Sequence, residues 1–203
     1  KVTVTTKAYG SEEAWKWESA GADGYTVSEA AKTSVGTKIV LHIKENAEGE
    51  DYDQFLGQYT LQRLVKKYSD YVRFPIKMAM EKSRQMEKPE NAADDWKGGW
   101  ETYTEIETLN SMVPLWQRQK SEITGEAAAE FYQSKFGDME APLSHITANV
   151  EGAVTYKALL FMPAHAPYDL YTREYQGGLQ LYSSGVLIMD KCAELLPEWF
   201  RFI

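Results

Sequence analysis

The sequence predicts a mixed α/β (α+β) chain in two parts, an antiparallel β meander over residues 1–45 and an α/β region over 52–203. Three observations predict it. Apolar and polar residues alternate with period two through 1–44, with turn residues between the runs, as in half-buried strands. The stretch Glu45-Asn46-Ala47-Glu48-Gly49-Glu50-Asp51 is polar and acidic, which makes 46–51 a linker. From Leu61 the apolar period becomes that of a helix, and strand and helix patterns then intermix to the end.

The elements follow in order. Lys1 to Lys7 alternates with β-branched Val2, Thr3, Val4 and Thr5. After a turn at Gly10-Ser11, Trp15 and Trp17 stand two apart and share a face, with Lys16 and Glu18 on the other. Gly21-Ala22-Asp23-Gly24 is turn chemistry, and Tyr25-Thr26-Val27 is a short third strand. Gly36 opens a fourth, in which Thr37, Ile39, Leu41 and Ile43 share a face and Lys38, Val40 and His42 the other. No helical pattern in this stretch offers a layer to cover the sheet. Beyond the linker, Leu61, Leu64, Val65, Tyr68 and Val72 form one helical stripe, with Arg63, Lys66 and Lys67 off it as a solvated flank. Pro75 ends any helix. Phe74, Ile76, Met78 and Met80 then alternate as a strand, 81–99 reads as a charged loop or hairpin tip, and Trp100 to Thr108 returns as the partner strand. Thr124 is placed to cap a helix that carries Phe131, Tyr132 and Phe136 and that Gly137 ends. Ile146 to Val150 and Val154 to Met162 flank Glu151-Gly152 as a hairpin. Leu179 to Met189 is a strand broken at Ser183-Ser184-Gly185, and Lys191 to Leu196 a short helix closed by Pro197.

Composition excludes several classes. With 43% hydrophobic and 26% charged residues over 203, the chain has globular composition and is not disordered throughout. A net charge of -8 disfavours a nucleic-acid binder, which needs a basic stripe against phosphates. No apolar run approaches the roughly 18 residues of a membrane span. A single cysteine, Cys192, allows no intrachain disulfide and fits a reducing, cytoplasmic setting. The chain begins on Lys1 directly in a strand and ends on apolar Trp199 to Ile203, so it reads as a piece of a longer protein.

Catalytic chemistry is sparse. His42, His145 and His165 lack helical metal-site spacing, and one cysteine gives no thiolate pair, so no metal site is expected. Neither a nucleophile elbow nor a glycine-rich phosphate loop is present. The informative residues are aromatic: 13 tyrosines, 7 phenylalanines and 6 tryptophans, more than a core of this size calls for. Trp116 follows Pro114 in a polar context, and Pro163-Ala164-His165-Ala166-Pro167-Tyr168-Asp169-Leu170-Tyr171 places rings on a proline-bounded loop. Exposed loop rings mark protein contacts, and rings folded back are satellite core; composition leaves both readings open.

The same residues carry a family resemblance. Gly36-Thr37-Lys38-Ile39-Val40-Leu41-His42-Ile43-Lys44-Glu45 resembles the last strand of the ATP-binding domain of the ninety-kilodalton heat-shock chaperones. Leu61 to Ile76, Leu109-Asn110-Ser111-Met112-Val113-Pro114-Leu115-Trp116, Val150-Glu151-Gly152, Tyr156 to Pro163, Ala166 to Tyr171, Leu181-Tyr182 and Leu195-Leu196-Pro197-Glu198-Trp199 resemble their middle domain, in order. The very short acidic linker is similar to that of the bacterial members. One departure stands out: many relatives carry an arginine pair where this chain has Ser183-Ser184-Gly185.

The resemblance implies that 1–45 is the end of an incomplete GHKL-type ATP domain and 52–203 the first α/β part of a middle domain. It implies an ATP-dependent chaperone for partly unfolded client proteins, using ATP with magnesium and working as a cytoplasmic homodimer joined by a C-terminal domain. ATP would favour the closed dimer, and the middle domain would pass that closure to the client surface. Thr37 matches a position that helps hold adenine, and Trp116, Tyr168, Leu170 and Leu187 match a client-contact patch. The main ATP pocket and the arginine that reaches the γ-phosphate fall outside these residues, so this piece is expected to bind no cofactor and to hydrolyse no ATP. It carries no catalytic residue under this reading, and Arg201 is not that arginine. No nucleic-acid or membrane partner is expected. Two alternatives remain: the transducer portion of another GHKL ATPase, of the DNA-repair or topoisomerase type, and a nucleotide-free protein-binding module.

Overall fold

A computed structural model describes residues 1–21, 24–86 and 98–203. Contacts between Cα atoms divide the chain into two compact units, Lys1–Thr60 and Leu61–Ile203. The mixed α and β content with antiparallel sheets agrees with the expected class.

The first unit is a sheet of β1 (Val2–Lys7), β2 (Ala14–Gly21), β3 (Gly24–Glu29) and β4 (Gly36–Leu41). All pairs are antiparallel, but the order is β3-β2-β1-β4. The expected meander is therefore corrected to a Greek key, in which the fourth strand returns beside the first. The reason lies in the connection and the register. Residues 30–35 are too many for a tight hairpin. Pairing with β1 also sets Val4 opposite Ile39 and Thr6 opposite Thr37, like against like. The backbone of His42, expected within the strand, lies just past it and closes the edge through bonds with Lys1. One face gathers Val2, Val4, Trp15, Trp17, Val27, Ile39 and Leu41, and the other gathers Thr3, Thr5, Lys16, Glu18 and Lys38. The apolar face is open: Ile39 and Leu41 are 60% and 66% exposed, and Tyr25, stacked 6.0 Å from Trp17, is exposed too. Past the sheet, the Asn46 side chain accepts the backbone N–H of Tyr52 and Asp53 and donates to the Asp53 carboxylate, pinning the acidic stretch into a compact turn.

The second unit opens in α1 (Gln58–Tyr68). The expected stripe ran to Val72, yet the helix stops at Tyr68. Two things stop it. The Asp70 carbonyl accepts the N–H of Ser111 and Met112, and the chain is heading for Pro75, which disfavours helix in the residue before it. Buried Asn110 then organises the corner: its amide donates to the carbonyls of Val72 and Phe74 and accepts from Ile76. A proline-containing stretch that no strand pairs has its backbone satisfied in this way.

β5 (Lys77–Gln85) and β6 (Trp100–Thr108) form a two-stranded ribbon in unbroken register from Lys77↔Thr108 to Gln85↔Trp100. The strand outlasts its expected end at Met80, because opposite charges face each other across it. Lys82 bonds Glu105 and Glu107, and Arg84 bonds Glu101. Those bonds, Glu107's first, hold the Lys82 ammonium above the usual lysine range. The rest of the expected loop, 87–97, lies outside the described residues.

α2 (Gly125–Phe136) begins and ends as its sequence requires. Thr124 Oγ1 accepts the N–H of Ala127 at 3.1 Å, and Gly137 takes the left-handed conformation, φ 70°, that ends the helix. β7 (Ser144–Val150) and β8 (Tyr156–Met162) pair as the expected hairpin. β9 (Leu179–Ser183) and β10 (Val186–Cys192) form another, so the single broken strand is corrected to two strands. Ser184 and Gly185 both have positive φ, 51° and 82°, the pair a two-residue hairpin turn demands. The expected short helix is corrected as well: Lys191 and Cys192 remain strand, and a single 3₁₀ turn at Ala193–Leu195 follows, since Pro197 forbids a longer one.

Candidate functional site

A continuous row of aromatic contacts runs through the second unit. Tyr71, just past α1, meets Trp116 edge-on at 4.8 Å and Tyr182 of β9 at 5.2 Å. Trp116, in a 3₁₀ turn at Leu115–Gln117 behind fully buried Pro114, also contacts Tyr182 at 5.3 Å and Phe131 of α2 at 6.0 Å. Phe131 stacks 6.1 Å from Phe161 of β8, which Tyr132 meets from α2 at 5.2 Å. Five segments separated in sequence are thus joined ring to ring. Edge-on and offset pairs of this kind add about 0.5–1.5 kcal/mol each beyond area burial.

Beside this row lies an open groove of about 870 Å³, walled by α1, α2 and the β9–β10 hairpin. Tyr71 and Phe131 form part of its lining, and cations stand around it. Lys66 is answered by Asp70 at 3.1 Å and Lys67 by Asp190 at 3.6 Å. Lys135, from the last turn of α2, places its ammonium 5.2 Å from the Tyr71 ring centre and 5.7 Å from that of Tyr182. Burial lowers its pKa, against the opposing pull of Asp70 and Asp190. Burial also raises both phenols, Tyr182 to about 12, so the rings facing Lys135 stay neutral and present π faces to it.

The expected site residues are not brought together as one exposed patch. Trp116 is half-buried in the aromatic row. Leu187 is buried on β10 and Leu170 is buried in its loop, at 7% and 5% exposure. Only Tyr168 stands fully in solvent, with Tyr171 close by at 92%. The loop is built to hold it there. Leu170 N–H bonds the Pro167 carbonyl, Thr172 N–H and Oγ1 bond that of Asp169, and buried Leu170 anchors the turn from which Tyr168 projects. His165 Nε2 also lies 2.8 Å from the Glu140 carboxylate. In the other unit, Thr37 is exposed on β4, its hydroxyl 2.8 Å from that of Thr6. Among the described residues no three His, Cys, Asp or Glu side chains converge as metal ligands, and no helix is long and apolar enough to cross a membrane.

Sequence reasoning missed Tyr71, Tyr182 and Lys135. Their signal was faint: a lone lysine among Phe131, Tyr132 and Phe136 at a helix end, and two tyrosines that no period links. Arg63, Lys66 and Lys67, read as a solvated flank, are indeed exposed, and the structure adds that all three line the groove.

Residues 54–99 and 92–203 match the family described as Hsp90 protein. The whole chain is 51% identical to the chaperone protein HtpG of Clostridium perfringens and 49% to that of Oceanobacillus iheyensis, and over 202 residues 52% to that of Bacillus subtilis. It covers 32%, 31% and 31% of those proteins, so it spans about a third of their length. A match across most of the second unit, with similarity unbroken over both, leaves one conclusion: the chain belongs to the Hsp90 family.

Proposed function

We propose that this chain is the part of an ATP-dependent chaperone that contacts partly unfolded client proteins. The observation that carries the proposal is identity of about half, sustained over every residue, to proteins named chaperone protein HtpG. In this reading 1–45 belongs to a GHKL-type ATP domain, with Thr37 near the nucleotide, and 52–203 to a middle domain. The whole protein is a cytoplasmic homodimer that uses ATP with magnesium. Client contact falls to Tyr168, displayed by the buried Leu170 anchor, while Trp116 and Leu187 are held by packing elsewhere in the same unit. An exposed ring on a fixed loop offers apolar area at little entropic cost, which suits weak contact with chains that must themselves be ordered on binding.

The test is aggregation of a chemically unfolded protein diluted into the 203-residue chain. The chain slows aggregation and Tyr168→Ala slows it less, while the circular dichroism of the two matches. Equal protection by chain and variant overturns the role of Tyr168, and no protection by either overturns client contact by this chain.

A further inference from the structure

Outside the Tyr168 loop, the groove between α1, α2 and the β9–β10 hairpin has a property the client-contact reading does not use. Its own carboxylates answer Lys66 and Lys67. Arg63, Arg118 and Lys135 also line it, and none of the three has a carboxylate at ion-pair distance among the described residues. Against them stands only Glu130 without such a partner among the described residues. A locally cationic groove thus sits in a chain of net charge -8. Arg63 and Arg118 are exposed, free to move toward a ligand, whereas Lys135 is half-buried and held over two rings.

We infer that this groove is a docking site for an acidic, extended peptide segment that carries carboxylates and one apolar side chain. Three features choose that occupant. The unanswered cations need anionic partners, and Arg presents a planar fork that matches a carboxylate. Part-buried Phe131 and exposed Val113 in the lining give the apolar side chain a floor. Glu130 in the lining, unpaired among the described residues, repels a continuous row of phosphates more than a segment whose carboxylates are spaced apart to avoid it, which sets a peptide above a nucleic acid. Lys135 is the selective element: its charge is already partly desolvated, so a carboxylate that reaches it gains more than one at an exposed lysine. The inference deepens the client-contact reading and rests on it, for it names the kind of segment this unit would take.

The experiment uses the full 203-residue chain and a fluorescein-labelled short peptide of Glu, Gly and a single Phe, read by anisotropy. The peptide binds, raised salt weakens it, and its Gln counterpart binds about tenfold less well. The double variant Arg63→Glu, Arg118→Glu loses about tenfold in affinity; both sites are exposed, so its circular dichroism matches that of the parent. Equal binding of the Glu and Gln peptides, or undiminished binding by the double variant, overturns the proposal. So does displacement of the peptide by a short oligonucleotide at equal charge concentration, which would mark a general anion site. If the Glu peptide does not bind while the chain still slows aggregation through Tyr168, the groove proposal falls and client contact stands.

Discussion

Both units place aromatic and β-branched residues on antiparallel strands, yet they use them differently. In the sheet of β1–β4 the backbone ladder is complete and the apolar face is open; among the described residues Ala14 is its one buried apolar side chain. In the second unit three separate two-stranded sheets contribute side chains to buried positions at Met80, Phe161, Leu187 and Cys192. A ladder fixes strand geometry without a core, but hydrophobic stabilisation follows area removed from water, not hydrogen bonds closed. The comparison teaches that regular secondary structure and a stabilising core are separate achievements, and that the first unit as described has the former.

The sharpest way to break that contrast is to remove an equivalent apolar group from each. Phe161→Ala, at the meeting point of α2 and β8, costs about 3–5 kcal/mol, by lost transfer and a cavity. Ile39→Ala, on the open face, costs less than about 0.5 kcal/mol. Urea midpoints for the two variants check both, and equal losses would dissolve the distinction. Next in size is Gly185→Ala. A Cβ there would collide with the Tyr71 carbonyl, and φ of 82° strains any other residue. Overpacking and backbone strain together cost about 3 kcal/mol, and hydrogen exchange is expected to rise in β9, β10 and the Tyr71 segment while β1–β4 stays as it was. The smallest effect sharpens the description of the first unit. Lys1, then Lys16 and Thr3, hold the Glu18 carboxyl down at about 2, from its ordinary 4.5. A depressed folded pKa stabilises above the unfolded value, so this contribution is present above about 4.5 and is lost as pH falls toward about 2. Glu18→Gln is expected to flatten the rise of stability with pH across that window, measured by hydrogen exchange of β1 and β2; an unchanged slope would show the network to be idle.

Gly185 shows how closely this hairpin is packed: with positive φ and no side chain, it lets the tip of the β9–β10 hairpin lie against the Tyr71 backbone.

Local rules made much of this protein readable. Period-two alternation located β1–β4, the β5–β6 partnership and the β7–β8 hairpin, because side-chain direction in a strand depends only on position along it. Thr124 and Gly137 bounded α2, because capping is settled within one helical turn. Local rules could not choose β1 rather than β3 as the neighbour of β4, since either pairing satisfies the same alternation. Nor could they stop α1 at Tyr68, an end decided by an Asp70 carbonyl that serves residues some forty positions later. Trp116 shows the same limit: its polar neighbours read as a surface loop, while Tyr71, Phe131 and Tyr182, brought from three other places in the chain, half-bury it. The sequence by itself determined the family, the mixed α and β class and the ends of α2, all of which depend on residue order. Tertiary structure alone decided which rings are core and which are surface, and where three cations without carboxylate partners among the described residues line a groove, because burial and charge pairing depend on residues that sequence separates and folding assembles.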